Sequence, residues 1–159
     1  MHSLGIIVDL SHSSRKTFFS ALSFAESPYV VSHSGVKDIG AGSRGVDDEQ
    51  LRAIKDTDGV VGIIFFPWYL KKHTIFASID LVADHIAAVA ERIGVDHVGI
   101  GTDCDSNMWL PHDFKDVSYF PLLTKELLDR GFTTGEIGKI YMGNYMRVLE
   151  RTDGRFTAD

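Results

Sequence analysis

A chain of 159 residues and 17.6 kDa is long enough for one ordinary domain, and two are not expected. Its 16 lysine and arginine residues against 22 aspartate and glutamate residues give a net charge of −6. This charge argues against a nucleic-acid-binding protein, which needs a basic face for phosphates. One cysteine excludes an intramolecular disulfide scaffold, and the longest apolar stretch, residues 60–70, is shorter than the roughly 20 residues of a membrane-spanning helix. The composition therefore predicts a globular protein of the cytoplasm that binds neither nucleic acid nor membrane.

Predicted strands and helices alternate along the sequence. Continuous apolar runs rich in β-branched and aromatic residues are typical of strands covered on both faces in a parallel sheet, and apolar residues at steps of three and four are typical of helices. In chain order these patterns predict a strand at residues 5–11, a helix at 13–25, a strand at 29–34, a helix at 46–55, a strand at 59–66, a helix at 78–93, a strand at 97–103 and a helix at 122–130. Thr133 and Glu136 then predict a capping box at the start of a last helix. The alternation indicates an α/β fold built of parallel βα units.

Polar side chains stand at the carboxyl ends of three predicted strands. His12 follows the first strand, His33 lies in the end of the second, and Asp103 ends the fourth. Functional groups of parallel α/β folds collect at this edge of the sheet. Neutral imidazole is the commonest metal ligand, and carboxylate accompanies it in zinc hydrolases. One histidine at a strand end is usually just a polar residue, but two on consecutive strands with a later aspartate favour a metal site.

Four segments around these residues resemble the membrane (renal) dipeptidase family, whose members are zinc peptidases with an amidohydrolase-type barrel. The segments are Asp9-Leu-Ser-His12-Ser, Val31-Ser-His33-Ser, Ser43-Arg44-Gly-Val-Asp-Asp48 and Gly101-Thr-Asp103-Cys-Asp105. The similarity runs from about residue 5 to residue 150 and includes the helix that begins Gly143-Asn144. One departure is Gly-Thr-Asp-Cys-Asp-Ser in place of the family's Gly-Gly-Asp-Phe-Asp-Gly, which keeps both aspartates and changes the packing around them.

The resemblance implies a role for four residues. His12 and His33 match the two histidines that bind the second zinc of the family's two-metal site. Arg44 matches the arginine that holds the terminal carboxylate of the dipeptide substrate, and Asp103 matches the aspartate that handles the proton of the attacking water. Without the resemblance, Arg44 would be interpreted as a solvated loop cation.

The resemblance also indicates which residues of the family's active site this sequence lacks. Family members carry a His-x-Asp pair, a bridging glutamate and a further histidine upstream of the matched part, and the sequence has no His-x-Asp near its start. A complete TIM-type (β/α)8 barrel takes about 250 residues. The sequence therefore predicts that residues 1–151 form the C-terminal half of such a barrel, followed by a frayed tail at residues 152–159.

Three hypotheses for the function follow. The leading one is an incomplete or split zinc-dependent dipeptidase that joins an N-terminal half-barrel chain or self-associates. The second is a non-catalytic half-barrel that acts as an assembly or regulatory partner, and it is favoured by the missing ligands. The third is a different metal amidohydrolase, which would keep His12, His33 and Asp103 but would have no need of Arg44.

Overall fold

The computed structural model describes residues 1–105 and 109–153, which are organised around a four-stranded sheet. The strands are β1 (Val8–Asp9), β2 (Tyr29–Ser34), β3 (Val60–Ile63) and β4 (Val98–Ile100). They lie in the order β1-β2-β3-β4, and every pair is parallel. The predicted α/β fold of parallel βα units is confirmed.

Helices connect and cover the strands. They are α1 (Arg15–Leu22), α2 (Asp48–Asp56), α3 (Pro67–Leu70), α4 (Ile79–Ile93), α5 (Phe120–Asp129), α6 (Thr134–Gly138) and α7 (Asn144–Thr152). A π-helical segment at Lys139–Gly143 joins α6 to α7, and another lies at Lys37–Ala41. Short 3-10 turns lie at His2–Leu4, Gly42–Arg44, Val95–His97 and Val117–Tyr119. The predicted capping box is present at the start of α6, where Thr133 and Glu136 bond each other's backbone N–H groups.

The strands are shorter than the apolar runs that predict them, except β2, which matches its prediction. The third run extends past the end of β3, yet Ile64 and Phe65 are almost completely buried. The apolar pattern thus follows burial rather than the bounds of the regular strand. Single backbone bonds continue past β3, from the Ile64 N–H to the Ser34 carbonyl at 3.0 Å and from the Phe65 N–H to the Thr102 carbonyl at 3.4 Å.

The two faces of the sheet pack differently. Val31 and Val61 belong to the main core, while Val30 and Val60, one position earlier, point to the other face and pack with Val148 of α7. The main core contains side chains from four helices, namely Phe18 of α1, Leu51 and Ile54 of α2, Val82, Ile86 and Val89 of α4, and Leu123 and Leu127 of α5.

Helix α7 is fastened to the sheet by polar contacts. Asn144 donates to the carbonyls of Val95 and Val98 at 2.8 and 2.7 Å, and Arg147 donates to the carbonyl of Asp58 at 2.5 Å. The Asp58 carbonyl precedes β3, and the carbonyls of Val95 and Val98 precede and begin β4. These contacts therefore bind α7 to the amino ends of the two strands.

The predicted tail lies mostly outside the described residues. Thr152 ends α7, Asp153 is buried, and residues from 154 onward are not described. In the described part of the chain, every helix is too short or too polar to span a bilayer.

Candidate functional site

His12 and His33 meet at the carboxyl ends of β1 and β2. Their Nε2 atoms are 2.7 Å apart, and the ring centroids are 4.8 Å apart at an interplanar angle of 57°. A bulge in β2 directs His33: three residue steps from Val31 to Ser34 pair with only two steps of β3. His12 has a φ of 63°, a left-handed conformation that costs free energy in a non-glycine residue and is common at functional sites.

Arg44 contacts the first of these histidines. It ends the 3-10 turn Gly42–Arg44, and its Nη2 donates to Nδ1 of His12 at 2.8 Å. The guanidinium carbon lies 4.9 Å from the ring centroid of Tyr69, which favours a cation–π contact. Its Nε is buried without a hydrogen-bond partner among the described residues. A cavity of about 110 Å³ is lined by Arg44, His12 and His33, among other residues.

Asp103 reaches the same region from β4. Gly101 lies so close to β2 that a Cβ there would be 2.0 Å from the carbonyl oxygen of Ser32 and 3.0 Å from Cα of His33. This close approach brings the end of β4 against the bulge, and Asp103 follows two residues later with a φ of 55°. The structure thus brings three of the four predicted site residues into direct contact, and Asp103 lies within electrostatic range of His12.

Two residues that the sequence analysis did not assign support His33. Its Nδ1 lies 2.9 Å from Oγ of Ser32, which donates to Oδ2 of Asp9 at 2.5 Å. Oδ1 of Asp9 also accepts from the backbone N–H groups of Ser11 and Ser32, at 2.9 and 3.0 Å. The available sequence signal was the position of Asp9 at the end of the first strand and of Ser32 beside His33.

The pKa directions at the site match these contacts. Burial lowers the pKa of His12, and the Coulombic interactions with Arg44 and His33 lower it further, against weaker opposition from Asp103 and Asp9. His12 is therefore neutral at pH 7, as a metal ligand must be. Burial raises the pKa of Asp9, but the hydrogen bonds from Ser32 and Ser11 together outweigh it and hold that pKa below its usual value.

The donor set fits zinc in part. Neutral imidazole nitrogen is a preferred zinc ligand, and two are present on adjacent strands. Within residues 1–105 and 109–153, however, no group of three or more histidine, cysteine, aspartate or glutamate side chains is placed to hold a metal ion. A zinc ion here would need further ligands beyond His12 and His33, because protein zinc sites use at least three.

Other histidines are bound to the backbone instead. His85 of α4 is fully buried, accepts from the N–H of Val36 at 2.9 Å, and has its Nε2 2.8 Å from the carbonyl of Leu70. His97 has its Nδ1 2.9 Å from the carbonyl of Gly59. These contacts to the backbone give both histidines a structural role.

Histidines at the ends of adjacent parallel strands, with an arginine beside them, are typical of the metal-dependent hydrolases that use a TIM-type barrel. Comparison with known proteins identifies the particular family. The sequence profile of the membrane dipeptidase family (peptidase family M19) matches residues 1–155, and the chain belongs to this family. The resemblance inferred from the four motifs is confirmed.

Similar proteins are longer than this chain. An uncharacterised dipeptidase of Schizosaccharomyces pombe is 38% identical over 154 residues, covering 96% of this chain and 38% of that protein. The dipeptidase aclJ of Aspergillus oryzae is 39% identical over 150 residues, covering 94% of this chain and 36% of its own length. The crystal structure of a metallo peptidase from Rhodobacter sphaeroides, liganded with a phosphinate mimic of the dipeptide L-Ala-D-Ala, has a TM-score of 0.88 and 28% identity, and the match covers 96% of this chain and 44% of that one. The chain thus spans less than half the length of these relatives and corresponds to a portion of their barrel.

Proposed function

We propose that this chain supplies part of the active site of a zinc-dependent dipeptidase, and that the remaining ligands come from another part of the barrel. The observation that carries the proposal is the contact of His12, His33 and Arg44 at one edge of the sheet. This edge is where barrel enzymes hold their reacting groups. The dipeptidase relatives support hydrolysis of a dipeptide as the reaction.

In this proposal His12 and His33 hold one zinc ion through ring nitrogens. When bound, zinc supplies an activated water at neutral pH and polarises a carbonyl group. The hydrogen bond on Nδ1 of His33 suits ligation through its Nε2, and the neutral state of His12 suits ligation through a ring nitrogen. Among the described residues, no group of three or more histidine, cysteine, aspartate or glutamate side chains is placed to hold a second metal of the kind found in two-metal hydrolases.

Arg44 and Asp103 act on the substrate. A guanidinium can hold a carboxylate by two parallel hydrogen bonds, so Arg44 would bind the terminal carboxylate of the dipeptide. Asp103 would accept the proton of the attacking water and pass it to the leaving amine. The electrostatic interaction of Asp103 with His12 supports a position for this carboxylate near the two histidines.

The chain alone is expected to have little or no dipeptidase activity. Two-metal hydrolysis uses both ions to stabilise the attacking and leaving atoms, and this chain offers ligands for one. A partner chain that carries the N-terminal half of the barrel would complete the set. The alternative, a non-catalytic half-barrel that serves in assembly or regulation, is favoured by the same shortage of ligands.

Reconstitution separates the two functions. The chain is mixed with the N-terminal half of an intact relative in the presence of zinc, and release of free amino acids from simple dipeptides is followed. Activity that requires both halves and disappears with His33→Ala supports the dipeptidase. Complex formation without hydrolysis supports the non-catalytic alternative, and ordinary activity of the lone chain would contradict an incomplete site.

A further inference from the structure

Hydrogen bonds join five residues of the site into one series, here named the Arg44–Asp9 network. It runs from Arg44 to His12, His33, Ser32 and finally Asp9. The successive heavy-atom distances are 2.8 Å from Nη2 of Arg44 to Nδ1 of His12, 2.7 Å between the two Nε2 atoms, 2.9 Å from Nδ1 of His33 to Oγ of Ser32 and 2.5 Å from that oxygen to Oδ2 of Asp9.

The two ends of this network determine where its protons lie, because a guanidinium can only donate and an ionised carboxylate can only accept. The hydroxyl of Ser32 therefore donates to Asp9 and accepts the Nδ1 proton of His33. Nε2 of His33 is left without a proton and accepts from Nε2–H of His12. Nδ1 of His12 accepts from Arg44, so every bond in the network runs in one direction.

Ser11 lies beside Ser32 and Asp9 in the same cluster. Its Oγ lies 3.1 Å from Oγ of Ser32 and accepts the backbone N–H of His33 at 3.2 Å. Because the ionised Asp9 only accepts, the single proton of the Ser32 hydroxyl goes to Asp9, and the Ser32 oxygen accepts Nδ1–H of His33. Asp9 is itself held by two backbone N–H groups on its other oxygen.

We propose that Asp9 is a positioning residue for His33: through the Ser32 hydroxyl it keeps the imidazole proton on Nδ1, so that the Nε2 lone pair is available to a metal ion. The inference rests on the proposed function in taking His33 as a ligand. Carboxylates commonly orient metal-binding histidines from outside the ligand shell. Here a serine hydroxyl stands between the two groups.

Substitution of Asp9 gives a result that a merely structural role would not give. In Asp9→Asn the side-chain oxygen can still accept from the N–H groups of Ser11 and Ser32, while its NH2 group replaces the acceptor that faces Ser32. The Ser32 hydroxyl then turns and donates to Nδ1 of His33, which moves the imidazole proton to Nε2. The bond from Nε2–H of His12 is lost in this variant, because two N–H groups would face each other. Ser32→Ala removes the connection altogether.

The test observes the tautomer directly by nuclear magnetic resonance. In the 159-residue chain, labelled with ¹⁵N and treated with a chelator, long-range proton–nitrogen correlations report which ring nitrogen of His33 carries the proton at pH 8. His33→Gln assigns the resonance. We expect Nδ1–H in the wild type, Nε2–H in Asp9→Asn and a mixture in Ser32→Ala. Ser34→Ala is the matched control, because this hydroxyl bonds the carbonyls of Gly35 and Arg44 instead.

A zinc titration of the same samples measures the consequence for ligation. Zinc should shift the resonances of His12 and His33, and Asp9→Asn and Ser32→Ala should weaken binding about 10–100-fold relative to Ser34→Ala. If His33 keeps Nδ1–H in Asp9→Asn, or if the reversed tautomer binds zinc as tightly as the control, the positioning role is overturned. If the tautomer reverses but zinc never shifts the wild-type resonances, the proposed metal site fails instead. Should Asp9→Asn not fold, Ser32→Ala decides both points.

Discussion

Arg44 and Asp103 contact different parts of a bound dipeptide in the proposed mechanism, so their substitutions should change different kinetic constants. In the reconstituted enzyme, Asp103→Asn should lower kcat by about 100-fold or more with little change in KM, because it removes the proton carrier. Arg44→Ala should raise KM, because it removes a contact that the substrate makes before reaction. Steady-state kinetics on one dipeptide measures both.

Arg15 offers the control for this pair. It also lines the cavity, but its guanidinium is bound to Asp47 and Glu49 at the surface. Arg15→Ala should therefore leave KM within about twofold, since exposed ion pairs contribute little. An equal rise in KM for Arg15→Ala and Arg44→Ala would contradict a specific carboxylate contact at Arg44.

His85 should make the stability of the protein depend on pH. Burial lowers its pKa in the folded state below the ordinary 6.5. Between the folded and unfolded pKa values the unfolded chain binds more protons, so this contribution is fully present above pH 6.5 and is lost as the pH falls below it. The slope is at most about 1.4 kcal/mol per pH unit. Urea unfolding of wild type and His85→Gln should show a stability gap at about pH 7.5 that narrows by about pH 5.5.

The exposed His112 provides the comparison for His85. His112→Gln should track the wild type across the same pH range. A gap between wild type and His85→Gln that stays constant over that range would show that His85 does not carry the pH dependence.

The sequence predicts which site residues lie at the same edge of the sheet, but it does not predict every contact between them. Adjacent parallel strands bring His12 and His33 to one edge, so their proximity follows from the alternation of strands and helices. The role of Ser32 does not follow from this alternation, because it depends on a bulge in β2 that shifts the pairing between Val31 and Ser34. Side chains alternate between the two faces of a strand with a period of two residues, and this pattern does not show where a bulge inserts one extra residue. Arg44 came from the family resemblance alone, since its loop has no regular spacing.

At the scale of elements, the bulge of β2 depends on glycine in the neighbouring strand. A Cβ at Gly62 of β3 would lie 2.1 Å from the Ser32 carbonyl and 2.3 Å from the Tyr145 hydroxyl. Gly62→Ala should therefore destabilise the protein by about 1–3 kcal/mol and disturb His33. Gly138 of α6 has a helical φ of −60°, and a methyl group added there would have open space within 4 Å. Gly138→Ala should stabilise by about 0.5–1 kcal/mol.

Thermal and urea unfolding of the two glycine variants test this contrast. If both variants raised the free energy of unfolding, backbone entropy, and not the close approach of β2 to β3, would determine the effect at Gly62. An unchanged His33 resonance in Gly62→Ala would separately contradict the link between this glycine and the bulge.

Helices were more predictable than strand ends because their boundaries carry chemical signals. Ser14 caps α1 and Thr133 caps α6, as their side chains and spacing indicate. Asp47 and Gln50 form a further capping box that starts α2 two residues later than the apolar spacing suggests. Strand ends have no equivalent signal, and the last paired residue depends on where the neighbouring strand ends.

At the scale of the whole molecule, the sheet has two edges. Among the described residues β1 pairs only with β2 and β4 only with β3. A groove beside β4 is lined by Ile100, Thr102, Phe120 and Tyr141. Unpaired parallel edges beside apolar side chains favour pairing with another chain, so the isolated chain should form dimers or larger species at micromolar concentration.

Sedimentation velocity and light scattering measure this association. Thr102→Lys puts a charge in the groove and should shift the population toward monomer, whereas Ser20→Lys, at an exposed position of α1, should not. A stable wild-type monomer would contradict the prediction and would indicate that the helices already protect both edges.

The contact between Tyr145 and Ser32 has a consequence for biosynthesis. The buried hydroxyl of Tyr145 donates to the Ser32 carbonyl at 3.3 Å across 113 positions of sequence. At about 5–20 residues per second, a ribosome needs roughly 6 to 23 seconds to synthesise that stretch. The strand-end histidines therefore leave the ribosome well before Tyr145, whose hydroxyl contacts the bulge of β2 that contains His33. Until α7 has been synthesised, the bond from Tyr145 to the Ser32 carbonyl cannot form, and the bulge lacks this one contact.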